Sequence, residues 1–305
     1  MLSVVAPFYN EKGTIATLHR QLILVFRAIG RPFEIIFVDD GSDDGSYEVI
    51  KTLKPVIAVR LRRNFGQTRA LAAGIKRSRG NIIILLDGDL ENDPADIPKL
   101  LQKLDEGFDV VSGWRKDRWK DKFFTRRLPS TIANRLISFT SGVHLHDHGC
   151  MLKVYRRDVL DALNLTGDMH RMIAAYAARN GARTTELQVR FEPRKFGKSK
   201  YGLSRTFTVL LDILAFHFFY KYSRRPIHFF GGAGFVSFFF GAAAFLYMLF
   251  LKYVAGVSFI QTPLPMLSAL LIMIGFQFVL MGLLAEIFVR THGKEEETVA
   301  EVMEQ

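Results

Sequence analysis

Two long stretches without Asp, Glu, Lys or Arg lie in the last quarter of the chain, and they constrain its fold more than any other feature. They run from His228 to Leu251 and from Leu264 to Ala285. A helix needs roughly 20 apolar residues to cross a bilayer, and each stretch is long enough. A pair of helices buried in a soluble core is the alternative. The length, the Phe and Gly content and the lack of charge favour two transmembrane helices within residues 227–290.

The charges around these stretches predict their orientation. Lys221, Arg224 and Arg225 precede the first stretch, and Arg290 and Lys294 follow the second, whereas the connecting loop contains only Lys252. Positive residues flank membrane helices on the cytoplasmic side. We therefore expect a multi-pass protein of the inner (plasma) membrane, with the large N-terminal region and the charged tail, residues 291–305, in the cytoplasm.

A third apolar segment precedes the first span. Residues 205–226 are rich in Phe, Leu and Ile and carry cations at both ends. This composition is typical of an amphipathic helix that lies among lipid headgroups. A plain core helix of the preceding domain is the alternative.

Composition limits the partners. The chain has 305 residues, is 49% hydrophobic and carries a net charge of +11, which predicts an anionic partner such as a nucleic acid, a lipid surface or a phosphorylated substrate. The basic residues gather beside the membrane segments and no nucleic-acid motif is present, so we expect a lipid bilayer and no nucleic acid. With Cys150 as its one cysteine, the chain cannot form an internal disulfide.

Residues 1–204 alternate between strand-like and helix-like segments. Apolar runs rich in β-branched residues, LSVVAPF, FEIIFVD, VIAVRL, NIIILLD and DVVSGW, are separated by helical patterns such as Thr14 to Ile29 and Gln67 to Ser78. This alternation predicts an α/β domain with a mostly parallel sheet covered on both faces. Ligands of such sheets bind outside the carboxyl ends of the strands.

Polar clusters follow three of these predicted strands. They are PFYNE at 7–11, VDDGSDDGS at 38–46, and Asp87 with Asp89 after the fourth strand. The second cluster alone could equally be a turn that caps the next helix through Asp43, Asp44 or Ser46. Three acidic strand ends in one sheet favour a binding site.

The chemistry of these residues suits a sugar nucleotide. Asp87 and Asp89 are hard oxygen ligands, suited to Mg²⁺ or Mn²⁺ that completes its shell with water and phosphate oxygens. Two bare carboxylates would repel a diphosphate, so a bridging cation is expected. Asp39 or Asp40 could accept hydrogen bonds from a nucleobase or ribose.

The chain resembles the polyprenyl-phosphate glycosyltransferases of glycosyltransferase family 2. The motifs that carry the resemblance are, in chain order, PFYNE, VDDGSDDGS, NFGQTRALAAGIKRSRG, DGDLENDPADIPKLL, DVVSGWRKDR, DHGCMLKVYRRDVL and RKFGKSKYG. The resemblance implies a GT-A (Rossmann-like) fold and an inverting transfer of one sugar from a nucleotide sugar to a polyprenyl phosphate. A UDP-hexose and undecaprenyl phosphate are the expected substrates, and envelope glycan or lipid modification the expected use of the product.

The resemblance also assigns residues to the donor and the metal. The donor would be held by Pro7, Tyr9, Glu11, Asp39, Asp40, Asp87, Gly88, Asp89, Arg194, Ser199 and Lys200. The metal would be held by Asp87 and Asp89. Many relatives carry Gln where this chain has Glu91 and Ala where it has Gly88, so Glu91 is a further candidate ligand.

On the acceptor side, the resemblance assigns the lipid phosphate to Arg115, Arg126 and Arg127. It makes Asp147 catalytic together with Asp89 and Arg115, without a required proton transfer, because a phosphate oxygen is already an anion. The alternative for Arg118, Arg126 and Arg127 is a solvated basic face near anionic lipid. For the loop 192–202 the alternative is contact with lipid headgroups.

Other interpretations of the same residues are weaker. His144, His146 and His148 could hold zinc, but they lack a well-spaced fourth ligand. Cys150 fits a packed small residue better than a nucleophile. A processive polysaccharide synthase and a non-catalytic transport or flippase subunit are the rival functions, and a homo-oligomer is the expected assembly.

Overall fold

The computed structural model describes residues 1–116, 118, 128–163, 165, 169–193, 218, 222 and 225–292. The chain divides into two compact units, Met1–Ala215 and Phe216–Gln305, which are described separately.

The first unit is built on a seven-stranded sheet. Its strands are β1 (Leu2–Phe8), β2 (Phe33–Asp39), β3 (Ile57–Arg60), β4 (Ile82–Leu85), β5 (Val110–Trp114), β6 (Lys153–Arg156) and β7 (Thr184–Gln188). Their order is β3-β2-β1-β4-β6-β5-β7. All neighbouring pairs are parallel except those of β6, which runs antiparallel to β4 and β5. The mostly parallel α/β fold and its first five strands are confirmed, whereas β6 and β7 were not predicted.

Helices cover both faces of this sheet. They are α1 (Lys12–Ile29), α2 (Ser46–Thr52), α3 (Gln67–Arg77), α4 (Ile97–Asp105), α5 (Leu128–Ser141), α6 (Arg157–Asp161) and α7 (Ile173–Arg179). On one face, α1 and α4 pack on alternate residues of the strands; on the other face, α3 and α7 do the same. Helix α1 shows why the pattern works: Leu18, Leu22 and Phe26 recur at helical spacing and are fully buried. It ends at Gly30, whose left-handed backbone closes the last turn.

The antiparallel strand β6 brings one further loop to the edge of the sheet where the parallel strands end. Lys153, the first residue of β6, pairs with Leu85 near the end of β4 and with Ser112 of β5. Because β6 runs in the opposite direction, its beginning lies where β4 and β5 end. The turn at residues 145–150, which leads into β6, therefore meets the carboxyl ends of the parallel strands.

The second unit is a helical hairpin of α8 (Ile227–Tyr253) and α9 (Leu264–His292). Glycines allow close packing: a Cβ on Gly234 would lie 2.9 Å from the carbonyl oxygen of Gly275. Ser268 Oγ donates a hydrogen bond to the carbonyl of Gly241 at 2.9 Å. By length and composition, Ile227–Tyr253 and Leu264–Val289 could each cross a membrane, and only 17% of either apolar window is buried, unlike helices of a soluble core.

The predicted domain limits at 204, 226 and 290 stay predictions. Most of the expected interfacial helix, 205–226, lies outside the described residues, as do residues 293–305 of the tail.

Candidate active site

The loops after β1 and β2 are tied into one surface. Ser42 Oγ accepts a hydrogen bond from the N–H of Asn10 at 2.9 Å, and Ser46 Oγ accepts one from the N–H of Glu11 at 3.1 Å. Asn10 has a left-handed backbone, with φ of 55°, which turns the chain toward these hydroxyls. The predicted donor residue Glu11 is thus tied to the loop 41–46, and Pro7 and Tyr9 lie just before it in the chain.

The two aspartates at the end of β2 have different surroundings. Asp39 is fully buried, accepts from the N–H of Ser42 at 3.3 Å, and lies 3.5 Å from Nε of Arg60. Asp40 accepts from the N–H groups of Phe65 and Gly66 at 2.8 and 2.9 Å, one on each oxygen. Asp40 therefore orders the chain just before α3.

None of the three predicted caps, Asp43, Asp44 and Ser46, is the N-cap of α2, which is Gly45; Asp44 nevertheless contacts the first turn. Its carboxylate accepts a hydrogen bond from the N–H of Ser46, the first residue of α2, at 2.9 Å. The acidic loop after β2 thus contributes both to starting α2 and to holding the loop after β1.

Asp87 and Asp89 lie just beyond β4, on either side of Gly88. Asp87 is partly buried and its Oδ1 accepts from Nε2 of Gln67 at 2.6 Å, while Asp89 is buried and accepts from the N–H of Glu91 at 3.0 Å. Burial and the negative charge of Asp89 raise the pKa of Asp87 to about 7. Without a metal ion, Asp87 and Asp89 therefore do not readily both carry a full negative charge.

The backbone here is closely constrained. A Cβ on Gly88 would lie 2.4 Å from the ring of Phe8, so only glycine fits against that ring. Leu90 has φ of 62°; together with Asn10 it is one of two non-glycine residues with positive φ in the described part of the chain. Both flank the candidate site, where such backbone strain is most often found.

These carboxylates fit a divalent cation that takes few protein ligands. A cation between Asp87 and Asp89 would offset the repulsion that raises the pKa of Asp87. Among the described residues, no group of three or more His, Cys, Asp and Glu side chains could hold a metal ion. Water and phosphate oxygens would have to complete the shell, as Mg²⁺ commonly requires.

Glu91 faces cations in this structure. Its Oε2 lies 3.5 Å from Nη1 of Arg115 and 3.3 Å from Nη2 of Arg118. Glu91 thus contacts Asp89 through its backbone N–H and the arginines after β5 through its side chain.

Arg115 and Asp147 form a buried bidentate ion pair. Nε of Arg115 lies 2.7 Å from Oδ2 of Asp147, and Nη2 lies 3.2 Å from Oδ1. Arg115 is 4% exposed and Asp147 8% exposed. Despite burial, the charge of Arg115 holds the pKa of Asp147 below its usual value, and Asp147 raises that of Arg115. The sequence predicted both residues but not this pairing.

Helix α5 holds the turn that carries Asp147. Asn134 donates from Nδ2 to the carbonyl of His146 at 2.8 Å and accepts on Oδ1 from the N–H of His148 at 3.3 Å, so its amide brackets the two peptide groups around Asp147. Ser138 Oγ lies 3.0 Å from Nε2 of His148. Neither residue was predicted, since a polar side chain on a helix has no distinctive sequence signal.

Lys153 supports the same turn from below. It is fully buried, and its Nζ donates to the carbonyl of His148 at 2.8 Å. Burial lowers its pKa to about 8, although Asp147 and Asp87 favour the charged form. A lysine inside the apolar run MLKVY is the one signal that could have revealed it.

The three histidines do not converge. His146 pairs through Nδ1 with Glu186 of β7 and stacks on Trp114 at 4.4 Å, whereas His148 is buried against Ser138. Cys150 is buried, and burial raises the pKa of its thiol to about 11, which fits a packed residue. Five predicted site residues lie outside the described residues, namely Arg126, Arg127, Arg194, Ser199 and Lys200.

Comparison with known proteins decides the family. Residues 3–163 match the profile described as Glycosyl transferase family 2, which is more than half of the chain. The chain belongs to glycosyltransferase family 2. This family 2 glycosyltransferase has the GT-A-like fold and the kind of enzymatic activity that the sequence predicted.

Its relatives include named polyprenyl-phosphate transferases. It is 40% identical to a dodecaprenyl-phosphate galacturonate synthase of Rhizobium johnstonii, over 97% of this chain and 89% of that protein. It is 36% identical to an undecaprenyl-phosphate 4-deoxy-4-formamido-L-arabinose transferase of Klebsiella pneumoniae, over 93% and 87% of the two chains. The predicted resemblance to polyprenyl-phosphate glycosyltransferases is confirmed.

Solved structures share the fold at low identity. Glucosyl-3-phosphoglycerate synthase of Mycobacterium tuberculosis, in complex with Mn²⁺, UDP and glucosyl-3-phosphoglycerate, gives a TM-score of 0.58 at 16% identity, over 72% of this chain and 79% of that one. Mannosyl-3-phosphoglycerate synthase of Rubrobacter xylanophilus gives 0.57 at 16% identity, over 72% and 74%.

Proposed function

We propose that this glycosyltransferase transfers one sugar, with inversion, from a UDP-hexose-type donor to a polyprenyl phosphate at the cytoplasmic face of the inner membrane. The observation that carries the proposal is the division of one sheet edge into an acidic side and a cationic side. Asp87 and Asp89 follow β4, and Arg115 with Asp147 lies beside the start of β6. Glu91 connects the two sides.

On the donor side, Asp87 and Asp89 would hold Mg²⁺ or Mn²⁺, which would neutralise the diphosphate as it leaves. A solved structure of the same fold contains both Mn²⁺ and UDP, which supports a metal of this kind. Gln67 fixes the orientation of Asp87 through the 2.6 Å hydrogen bond. Asp39 and Asp40 would contact the nucleoside; Asp39 also accepts from the N–H of Ser42, and Asp40 from those of Phe65 and Gly66.

On the acceptor side, Arg115 would bind the lipid phosphate, with Asp147 holding its guanidinium in one orientation. A bond then forms between a phosphate oxygen and the anomeric carbon, while the bond from that carbon to the nucleoside diphosphate breaks. The acceptor oxygen is already anionic, so the step needs no proton transfer. What it needs is a fixed line of attack, which a rigid bidentate pair supplies.

The relatives support the lipid acceptor. Both are named for transfer to a polyprenyl phosphate, and they align with nearly the whole chain, including the apolar helices. One relative is named for galacturonate, a six-carbon sugar, and the other for formamido-arabinose, a modified pentose. The test therefore compares several sugar donors. Of the proposed contacts, Arg126, Arg127, Arg194, Ser199 and Lys200 rest on the sequence motifs alone.

The test incubates purified full-length protein in detergent with Mg²⁺ or Mn²⁺, undecaprenyl phosphate and a panel of UDP- and GDP-sugars. UDP-galacturonate, UDP-glucose and a UDP-linked aminoarabinose derivative should be included. We expect metal-dependent release of UDP with one donor and a lipid carrying one sugar, detected by mass spectrometry. Longer glycan chains would instead indicate a processive synthase. Absence of nucleotide release with every donor, from protein that still binds UDP, would refute the lipid acceptor.

Asp89→Ala provides the matched loss of function. We expect no transfer while the protein still inserts and folds. Asp105→Ala is the control, because Asp105 is exposed and pairs with Arg31 outside the site.

A further inference from the structure

The edge strand β7 carries an acidic residue in line with the buried lysine of β6. Strand β5 lies between β6 and β7, and its Ser112 is the register partner of both Lys153 and Glu186. Residues directly opposite each other in neighbouring strands lie on the same face of a sheet. Lys153, Ser112 and Glu186 therefore form one row across three strands, with a cation at one end and an anion at the other.

Both charges of this row reach the turn that carries Asp147. Nζ of Lys153 donates to the carbonyl of His148 at 2.8 Å, and Oε2 of Glu186 accepts from the N–H of His146 at 2.8 Å. A hydrogen bond with one charged partner is roughly twice as strong as a neutral one. The row thus holds both ends of the turn 146–148, with Asp147 between them.

The ring of His146 connects the same glutamate to the neighbour of Arg115. The other carboxylate oxygen of Glu186 pairs with Nδ1 of His146. The imidazole lies on the indole of Trp114, with the ring centroids 4.4 Å apart and the planes inclined by 21°. Trp114 is the last residue of β5 and directly precedes Arg115. His146 thus adjoins Asp147 in the chain and contacts the residue before Arg115, and Glu186 fixes both its backbone and its ring.

We propose that Glu186 is a positioning residue, which acts through His146 to hold the two partners of the Arg115–Asp147 pair in line. The Glu186 side chain is 16% exposed, so its charge lies largely away from water, where it is screened least. The proposal rests on the proposed function, because the orientation of the pair matters for transfer only if Arg115 binds the acceptor phosphate.

Two substitutions of Glu186 separate positioning from stability in the full-length protein. Glu186→Ala removes both contacts with His146, and kcat for transfer to undecaprenyl phosphate should fall about tenfold. Glu186→Gln keeps one oxygen for the N–H of His146 and should lose only about threefold. Both variants should bind UDP with Mn²⁺ at the wild-type Kd, measured by calorimetry, because the proposed metal ligands Asp87 and Asp89 follow a different strand, β4.

Glu106→Gln is the matched control, because Glu106 is a half-exposed glutamate that pairs with Lys103 at the end of α4. It should leave kcat and the Kd for UDP unchanged. A wild-type kcat in Glu186→Ala would overturn the proposal. A parallel loss of kcat, UDP affinity and Tm would also overturn it, since Glu186 would then only stabilise the fold. Glu186→Gln decides the question if Glu186→Ala does not fold.

Tryptophan fluorescence reports on the stack without any acceptor. The chain contains two tryptophans, Trp114 and Trp119, so Trp114 is the one emitter in a Trp119→Phe background. Because the imidazole covers one face of this indole, both His146→Ala and Glu186→Ala should increase quenching by acrylamide, whereas Glu106→Gln should not. Unchanged quenching in Glu186→Ala would contradict the proposal, because Glu186 would not orient the ring. If quenching rises as expected but no polyprenyl phosphate is used, the contact with His146 stands and the acceptor of the proposed function fails.

Discussion

Gly88→Ala tests whether the close contact of residue 88 with Phe8 of β1 positions the carboxylates of Asp87 and Asp89. The added Cβ would lie 2.4 Å and 2.5 Å from two ring atoms of Phe8, and 3.1 Å from the carbonyl oxygen of Pro7. Phe8 has no free space to move into, being 1% exposed and in edge contact with Phe37 at 4.8 Å. The segment 87–89 must therefore move.

The size of the movement follows from these distances. An ordinary Cβ contact begins at 3.4 Å, whereas the added Cβ would lie 2.4 Å from a ring atom of Phe8. The backbone at residue 88 must therefore shift by about 1 Å. Overpacking of this kind costs about 1–3 kcal/mol of stability. A shift of about 1 Å in catalytic groups can reduce the rate about a hundredfold. We expect kcat to fall by about that factor, with a modest decrease in Tm.

A second substitution provides the control. Phe8→Leu removes the ring atoms that the new Cβ would meet, so the double variant should recover most of the rate lost by Gly88→Ala. Rates of metal-dependent nucleotide release from all four proteins give a double-mutant cycle. If Gly88→Ala is as active as the wild type, or if the two losses simply add, then contact with Phe8 does not position the carboxylates.

Four further outcomes are expected. The pKa of Asp87 is raised from about 3.9 to about 7. The Tm of the metal-free protein should therefore fall as pH rises from about 4 to about 7, and Mn²⁺ should raise the Tm more near pH 7 than near pH 4. A Mn²⁺ effect on Tm that does not change with pH would contradict this. Arg115→Ala should destabilise the fold by about 3–5 kcal/mol, because the buried Asp147 loses its paired cation, whereas Glu91 keeps Arg118. Arg115→Lys should instead fold and raise KM for the lipid more than for the donor; equal changes would remove Arg115 from the acceptor site. Lys153→Met replaces a buried charge by an apolar chain of similar length, so Tm should stay unchanged or rise. The kcat should fall about tenfold, which corresponds to roughly 1.4 kcal/mol of activation free energy. An unchanged kcat would show that the hydrogen bond to His148 does not position the Asp147 turn.

The sequence predicted the parallel strands β1 to β4 better than the part of the sheet that contains β6 and β7. Strands β1, β2 and β4 are apolar runs with their polar residues directly behind them, so each signal is local in the chain. Strand β6 is as short as β4 but contains Lys153 and Arg156, and charged residues are not typical of a buried strand. The parallel edge was therefore predictable and the inserted strand was not.

The contacts of the site were harder to predict than its members. Arg115 and Asp147 lie 32 residues apart, and the distance between them is fixed by β6 and α5. Nothing in their own neighbourhood in the sequence specifies an ion pair. Asn134 was missed for the same reason, since its importance comes from two peptide groups that tertiary structure brings to it. Glu91 was considered as a metal ligand, yet here it faces two arginines.

The reversed direction of β6 has an evolutionary consequence. The edge proposed to bind the donor is made by consecutive parallel crossovers up to β4, while the chain between β5 and β6 enters and leaves at that same edge. Insertions or deletions between 116 and 146 can therefore reshape the proposed acceptor side without altering the register of β1, β2 or β4. A lineage can change which molecule receives the sugar while inheriting the donor half intact.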